Sequence, residues 1–584
     1  MVEEIPMAVA AAGGWPTTWW RGAAAAAVVA WLALHVAARV ADALWWRPRR
    51  LEAHFAAQGV RGPPYRFLLG SVREMVGLMA EASSKPMSPP TSHNALPRVL
   101  AFYHYWRKIY GASVDEHGSI APALDCLSLF RPTFLIWFGP TPRLTVAEPE
   151  LVREIFLTRA DAFDRYEAHP VVRQLEGDGL VSLHGDKWAL HRRVLTDAFY
   201  PDNLNRLVPH VGRSVAALAE KWRGMAAAAA GSGGEVEVEV DVAEWFQAVT
   251  EEAITRATFG RSYHDGRAVF ALQGRLMAYA SEAFRKVLVP GYRFLPTKKN
   301  WQSWKLDREI RRSLTRLIAR RSHEAEEEEK AGDGDSAGGG FRDLLGAMIN
   351  AGGGERKKPP TTAAAIPVED MLEECKTFFF AGKQTTTNLL TWATVLLAMH
   401  PEWQERARRE VLHVCGPDEL PSKEHLPKLK TLGMIINETL RLYPPAVATI
   451  RRAKADVRLS DGCLIPRDTE LLVPIMAIHH DARFWGPDAA QFNPARFAGG
   501  AATAAKHPLA FVPFGAGARM CIGQNLARLE AKLTMAVLLQ RFEMRASPNY
   551  VHAPTVLMLL YPQYGAPVIF RPRSSQPSDP AAAS

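Results

Sequence analysis

FVPFGAGARMCIGQ, Phe511–Gln524, is the stretch on which the interpretation of the chain turns. Gly515 and Gly517 open like a dinucleotide fingerprint, but the third glycine would fall on Met520, and no strand–helix–strand context surrounds it. What remains is Cys521 behind a tight glycine turn, with Arg519 two residues ahead and Gly523 two behind. A helical run comes next, carrying Leu526, Leu529 and Leu533 on one face. A thiolate just before a helix N-terminus is stabilised by the dipole and by unpaired backbone N–H groups. Those N–H groups also tune a metal–sulfur bond. The glycines let the backbone approach a flat ligand, and Arg519 can meet an acid on that ligand's edge.

The 584 residues around this loop are 48% hydrophobic and 22% charged, enough for a large core. The net charge of +9 is modest for this length, and no basic run is interleaved with aromatics as a nucleic-acid surface would require. A basic balance suits an anionic membrane surface or an acidic protein partner. The five cysteines, Cys126, Cys375, Cys415, Cys463 and Cys521, are far apart, odd in number and without histidines at zinc spacing. That excludes a disulfide framework and fits a reducing compartment. The first four read as small buried hydrophobes.

Near the N-terminus, GAAAAAVVAWLALHVAA (Gly22–Ala38) is apolar except for His35. Trp19 and Trp20 precede Trp45 and Trp46 by roughly 26 residues, a helical rise of roughly 39 Å, close to the separation of two aromatic belts. Glu3 and Glu4 argue against a signal-peptide leader, and Arg47, Arg49 and Arg50 after the span place the downstream chain in the cytosol. Residues 1–50 are expected to be a membrane anchor. Gly62-Pro63-Pro64 makes 51–70 a stiff linker, 71–572 a catalytic domain and 573–584 a disordered tail.

No internal repeat interrupts the domain. AAAAAGSGG before residue 235 and EAEEEEKAGDGDSAGGG ending at Gly340 read as solvated connectors, the second leading into FRDLLGAMI. Between them VEVEV (Val236–Val240) alternates as a half-buried strand. Most of the remainder reads helical, with strand signals near Phe134–Val146, Thr449–Leu472 and the C-terminus: a mainly α fold with a smaller β portion. The longest helix begins after Pro367 and ends before Pro401, about 33 residues and roughly 50 Å. Apolar nearly all round, it should cross the core; Lys376, Lys383 and Gln384 make a second membrane span expensive. At its centre Ala381-Gly382-Lys383-Gln384-Thr385 is polar. Thr385 can bond the carbonyl of Ala381 and bend the helix, with Gly382 leaving space above the bend.

Phe514, Gly517, Arg519, Cys521 and Gly523 satisfy F-x-x-G-x-R-x-C-x-G, and this loop resembles the haem-binding loop of the cytochrome P450 family of haem-thiolate monooxygenases. Companion motifs stand in the family's order across roughly residues 60 to 572. Glu438 and Arg441 in NETLRLYPP match its E-x-x-R pair, and Arg496 in FNPARF is the third member of a structural Glu–Arg–Arg network. Trp188 and Arg192 in KWALHRR match W-x-x-x-R, which the family directs at a haem propionate; Arg451 falls where it places another such arginine. The helix notch matches the oxygen-binding helix, with Ala381, Gly382, Gln384 and Thr385 at catalytic positions. Gln384 departs from the usual acid, and glutamine cannot carry a proton.

The resemblance implies the cytochrome P450 fold, heme b ligated by the Cys521 thiolate, and electrons from NADPH-cytochrome P450 reductase. It also implies a single-pass location in the endoplasmic reticulum membrane with a cytosolic catalytic domain. FFFAGKQTTTNLLTW, LYPPAVATIRRAK and HAPTVLMLLYPQYGAP resemble the plant brassinosteroid-inactivating steroid C-26 hydroxylases, and the Lys-Gln pair in the notch is particularly like them. Pocket candidates by family position are Phe378, Phe379, Val447, Thr449 and Leu557. The implied function is NADPH- and O2-dependent hydroxylation of a brassinosteroid side chain. The alternatives are hydroxylation of another lipophilic plant metabolite or of a cytokinin side chain, an oxygen-independent isomerase or dehydratase, and a non-enzymatic haem sensor or carrier. Thr385 and the notch argue against the last two.

Overall fold

The computed structural model describes residues 17–87, 92–111, 133–167, 173, 176–230, 236–284, 297–330, 342–353 and 366–573. The acidic leader, Cys126, the glycine-rich ends of both connectors and the C-terminal tail from 574 lie outside the described residues.

The architecture is mainly helical. Its central member runs Val368–Met399 and is buried along most of its length. Pro367 occupies its N-cap with extended backbone, and Glu369 and Asp370 lie in its first turn, where the dipole favours acids. Pro401 restricts the residue before it, and His400 leaves helical space at φ −123°, ψ 76°. This helix packs most extensively on Val242–Phe259, and also on Lys430–Leu442 and Gln524–Arg541.

Strands form in the stretches that carry strand signals, and Phe163–Arg165 adds one that no signal marked. β1 (Phe134–Phe138) and β2 (Thr141–Thr145) form a hairpin. With β3 (Phe163–Arg165), β5 (Thr449–Ala453) and β8 (Glu470–Val473) they make a five-stranded sheet in the order β1-β2-β8-β5-β3. β4 (Val238–Asp241), the second half of VEVEV, pairs with β12 (Pro567–Pro572), which also pairs with β9 (Phe542–Ala546). Val238 and Val240 face inward, while Glu239 accepts hydrogen bonds from Ser547 and Asn549. Two short ladders complete the β portion: β6 (Val457–Arg458) with β7 (Leu464–Ile465), and β10 (Pro554–Val556) with β11 (Leu560–Pro562).

Three expectations change. The alanines of the first connector belong to the helix Val208–Ala230, and the glutamates of the second to Lys298–Lys330; both residue types are good helix formers. Residues 51–70 do more than link. Phe55, Val60 and Tyr65 are core residues, and the Leu135 N–H donates to Arg61 O at 2.9 Å. The chain passes so close there that a Cβ on Gly62 would sit 1.7 Å from Leu135 O, a steric reason for glycine that no linker needs. Finally, Gly382 opens no space above the notch: a Cβ there would meet Ile254 Cδ1 at 2.5 Å. It lets the central helix and Val242–Phe259 approach each other.

One helix among the described residues is long and apolar enough to cross a membrane. It comprises Thr17–Ala41, a π turn Asp42–Trp46, and Arg47–Ala57, and its apolar stretch is unburied.

Candidate active site

The Cys521 loop is built by backbone geometry. Gly515 and Gly517 hold φ of +73° and +71°, a region open to glycine at no steric cost. A Cβ on Gly517 would stand 2.0 Å from Phe156 O, so the loop seats directly on the neighbouring turn. A short 3-10 turn, Gly517–Arg519, delivers Cys521, whose N–H donates to Phe514 O at 2.9 Å. Gly523 is the N-cap of Gln524–Arg541, on which Leu526 and Leu533 are buried and Leu529 half-buried.

Cys521 retains accessible surface, while the surrounding protein desolvates its thiol. Burial pushes its pKa up, opposed by the Gly523 and Gln524 N–H groups and by the charge of Arg192. Arg192 and Trp188 lie on the helix Gly185–Thr196. Burial lowers the pKa of Arg192, and among the described residues no carboxylate pairs with it. Arg451, on β5, is in the same condition. Burial and the nearby charges of Arg165 and Arg519 bring it down to about 10, and it stacks on Phe156 with its guanidinium 4.7 Å from the ring centroid. Arg519 instead has a partner: it donates to Asp164 Oδ1 at 2.9 Å and to Leu183 O, and lies 4.6 Å over the Trp188 ring.

Across the core, Thr385 Oγ1 donates to Ala381 O at 2.6 Å. Phe380 to Thr385 are only half-buried, between buried stretches of the central helix. Gln384 donates to Asn388 Oδ1 at 3.2 Å, and Lys383 Nζ pairs with Glu251 at 2.6 Å. Val447 is buried; Thr449 and Leu557 keep accessible surface. Phe378 stacks on Phe199, with centroids 5.6 Å apart. Phe379 has no accessible surface and packs on Phe270 at 4.2 Å, so it is a core contact and lines no open space.

Glu438, Arg441 and Arg496 meet in one cluster. Glu438 accepts from Arg441 Nε at 2.7 Å, from Arg441 Nη2 at 2.8 Å, from Arg496 Nε at 3.2 Å and from the Asn493 N–H at 2.9 Å. Arg441 also donates to the carbonyls of His479, Ala489 and Gln491.

Sequence reasoning missed several residues of this neighbourhood. Asp164 occupies Arg519 and also pairs with His184; Glu251 holds Lys383. His191 Nδ1 lies 2.7 Å from Glu374, tying the helix of Trp188 and Arg192 to the central helix. No local motif marks any of them, because each partner comes from a distant segment.

The donor set suits a flat, acid-bearing metal group. It offers one desolvated thiol with two amide donors behind it, the half-buried Arg192 and the buried Arg451 without a paired carboxylate among the described residues, and glycine backbone that packs closely. Comparison with known proteins agrees. A model of the family "Cytochrome P450" matches residues 117–566. Cytochrome P450 734A2 of Oryza sativa subsp. japonica is 80% identical over 555 residues, covering 94% of each chain. Cytochrome P450 734A1 of Arabidopsis thaliana is 56% identical over 536 residues, 92% of this chain and 94% of that one. Cytochrome P450 CYP72A616 of Paris polyphylla is 41% identical over 542 residues, 93% of this chain and 97% of its own.

Proposed function

The chain belongs to the cytochrome P450 family of haem-thiolate monooxygenases, and from there we propose that it hydroxylates the side chain of brassinosteroids such as castasterone and brassinolide. The position is the terminal C-26 methyl, and the product is a less active hormone. Family members draw electrons from a redox partner; here that partner is NADPH-cytochrome P450 reductase.

Bound heme b supplies the oxygen activation needed to attack an unactivated C–H bond. Cys521 would hold it through the thiolate, which the Gly523 and Gln524 N–H groups favour. Arg192 and Arg451 would receive its acidic edge, with Trp188 and Phe514 as further cofactor-binding residues. Arg519 acts through Asp164, holding the loop and Trp188 in place. Thr385 Oγ1 is the proton station of the notch, and Gln384 orients what Thr385 serves without carrying a proton itself. Val447, Thr449, Leu557 and Phe378 exclude water from a mostly apolar pocket, which fits a bulky lipophilic substrate entering tail-first.

The observation that carries the substrate is the notch sequence, Lys383-Gln384 within FFFAGKQTTTNLLTW, with its resemblance to the brassinosteroid hydroxylases; the related cytokinin hydroxylases usually carry His-Glu there. Enzyme and reductase incubated in parallel with castasterone, brassinolide and an isoprenoid cytokinin should convert the steroids. Turnover of the cytokinin alone would overturn the substrate and leave the monooxygenase standing. The apolar helix and the arginines behind it support anchoring in the endoplasmic reticulum with the domain in the cytosol. Protease added to intact microsomes should then digest the domain.

A further inference from the structure

Two of Arg519's donors are already engaged within the protein. Its Nη2 donates to Asp164 Oδ1 and its Nη1 to Leu183 O, both at 2.9 Å, and its guanidinium lies 4.6 Å over the Trp188 ring. Asp164 is held from two further directions. The Arg165 N–H donates to Oδ1 at 2.8 Å, and His184 Nδ1 lies 3.0 Å from Oδ2. Three separate segments therefore meet on one carboxylate: β3, which carries Asp164, the Cys521 loop, which carries Arg519, and His184, the N-cap of the helix that carries Trp188 and Arg192.

Cations outnumber anions around that carboxylate. Arg165 stands opposite Arg451 in the β3–β5 register, and the charges of Arg165 and Arg519 both bear on Arg451. Asp164 is the carboxylate whose charge opposes both Arg451 and Arg519. Burial pushes Asp164 up, but hydrogen bonds from His184 and the Arg165 amide, with the charges of His184 and Arg519, bring it below the ordinary carboxylate value. It is therefore an anion at neutral pH. The Arg519 and Asp164 side chains are 17% and 23% exposed, so solvent screens their charges only in part. Fixed positive charge near a redox centre favours the form with one more electron, and a neighbouring anion opposes that bias.

We propose that Asp164 is a positioning residue for the cofactor's acidic edge, and that its charge holds down the reduction potential of the bound haem. It does so by neutralising Arg519. Without Asp164, Arg519 would join Arg192 and Arg451, which have no paired carboxylate among the described residues, as a third uncompensated cation. The proposal deepens the reading of the Cys521 loop as the haem cradle and rests on it.

The test is a spectroelectrochemical titration of the full-length, haem-loaded, substrate-free chain at one neutral pH. It is compared with Asp164→Asn, Arg519→Gln and the variant carrying both. Asp164→Asn should shift the ferric–ferrous midpoint upward, Arg519→Gln should shift it downward, and the double variant should return towards the unsubstituted value. An unchanged midpoint in Asp164→Asn overturns the proposal. Faster haem release to apomyoglobin beside that unchanged midpoint would assign Asp164 to loop support alone and overturns it as well. If Asp164→Asn fails to load haem, Arg519→Gln and the double variant read the same charge. A higher midpoint in the double variant then supports the proposal, and equal midpoints overturn it. An unsubstituted chain without the thiolate-type carbon monoxide band overturns the haem cradle itself, and this proposal with it.

Discussion

At the scale of single residues, the proposed site rests on the chemistry of individual atoms. Cys521 is a thiol whose burial raises its pKa and whose neighbours, two amides and Arg192, work the other way. Serine keeps the volume nearly unchanged but offers no thiolate. Cys521→Ser is therefore expected to fold yet lose the red-shifted Soret band of the reduced, carbon monoxide-treated protein; a normal band would remove Cys521 as the ligand. Thr385 bonds Ala381 O within the central helix, and the residue before it, Gln384, is no acid to share proton transfer. Thr385→Ala is expected to uncouple the enzyme, so that NADPH consumption continues while peroxide replaces hydroxylated product. The peroxide-to-product ratio checks this, and an unchanged ratio would move the proton station elsewhere.

At the scale of elements, the central helix works because its neighbours are clamped to it. The Lys383–Glu251 pair and the Thr250–Thr387 hydroxyl contact at 2.8 Å join it to Val242–Phe259, while Gly382 removes the side chain that would hold them apart. A separate clamp joins Lys430–Leu442 to the segment around Arg496. There Glu438 and Arg441 have no accessible side-chain surface, and every charge is met by an opposite charge or a carbonyl. Removing one member leaves a buried charge without its counterpart, a cost of about 3–5 kcal/mol. Glu438→Ala is expected to accumulate little haem-loaded protein. Spectroscopic haem content per polypeptide reads the loss, and full loading with normal turnover would show that the cluster is dispensable.

At the scale of the whole molecule, buried histidines join distant segments. Tyr550 Oη contacts His552 Nδ1 at 2.8 Å, His552 Nε2 contacts Tyr443 Oη at 3.0 Å, Tyr443 Oη contacts His93 Nδ1 at 2.9 Å, and His93 Nε2 contacts His400 at 3.1 Å. The chain closes with one proton per ring, each ring accepting on one side and donating on the other. Burial lowers His93 to about 3 and His552 to about 4, and lowers His479 and His480 to about 3. These groups take up protons only on unfolding, so their contribution is complete above the unfolded value of about 6.5 and is lost as pH falls towards the folded values. Each fully depressed histidine then costs about 1.4 kcal/mol per pH unit below about 6.5. The denaturation midpoint is expected to fall between about pH 6.5 and about pH 5, above the range where carboxylates titrate. A flat midpoint across that window would mean that these rings are not held neutral.

Features that repeat locally or sit side by side along the backbone were written in the sequence. The loop around Cys521 is legible because its glycines, arginine and cysteine act within one turn of each other. The central helix is legible from Pro367 to Pro401 because prolines and apolar periodicity act over neighbouring residues, and Thr385 reaches Ala381 along the same helix. Which way Gly382 faces, that Phe379 is sealed against Phe270, and that Arg519 is held by Asp164 emerged only once the chain was folded. So did the packing of residues 51–70 into the domain. Each of these depends on a partner far away in the chain, brought near by burial of the whole core, and local pattern carries no record of that partner.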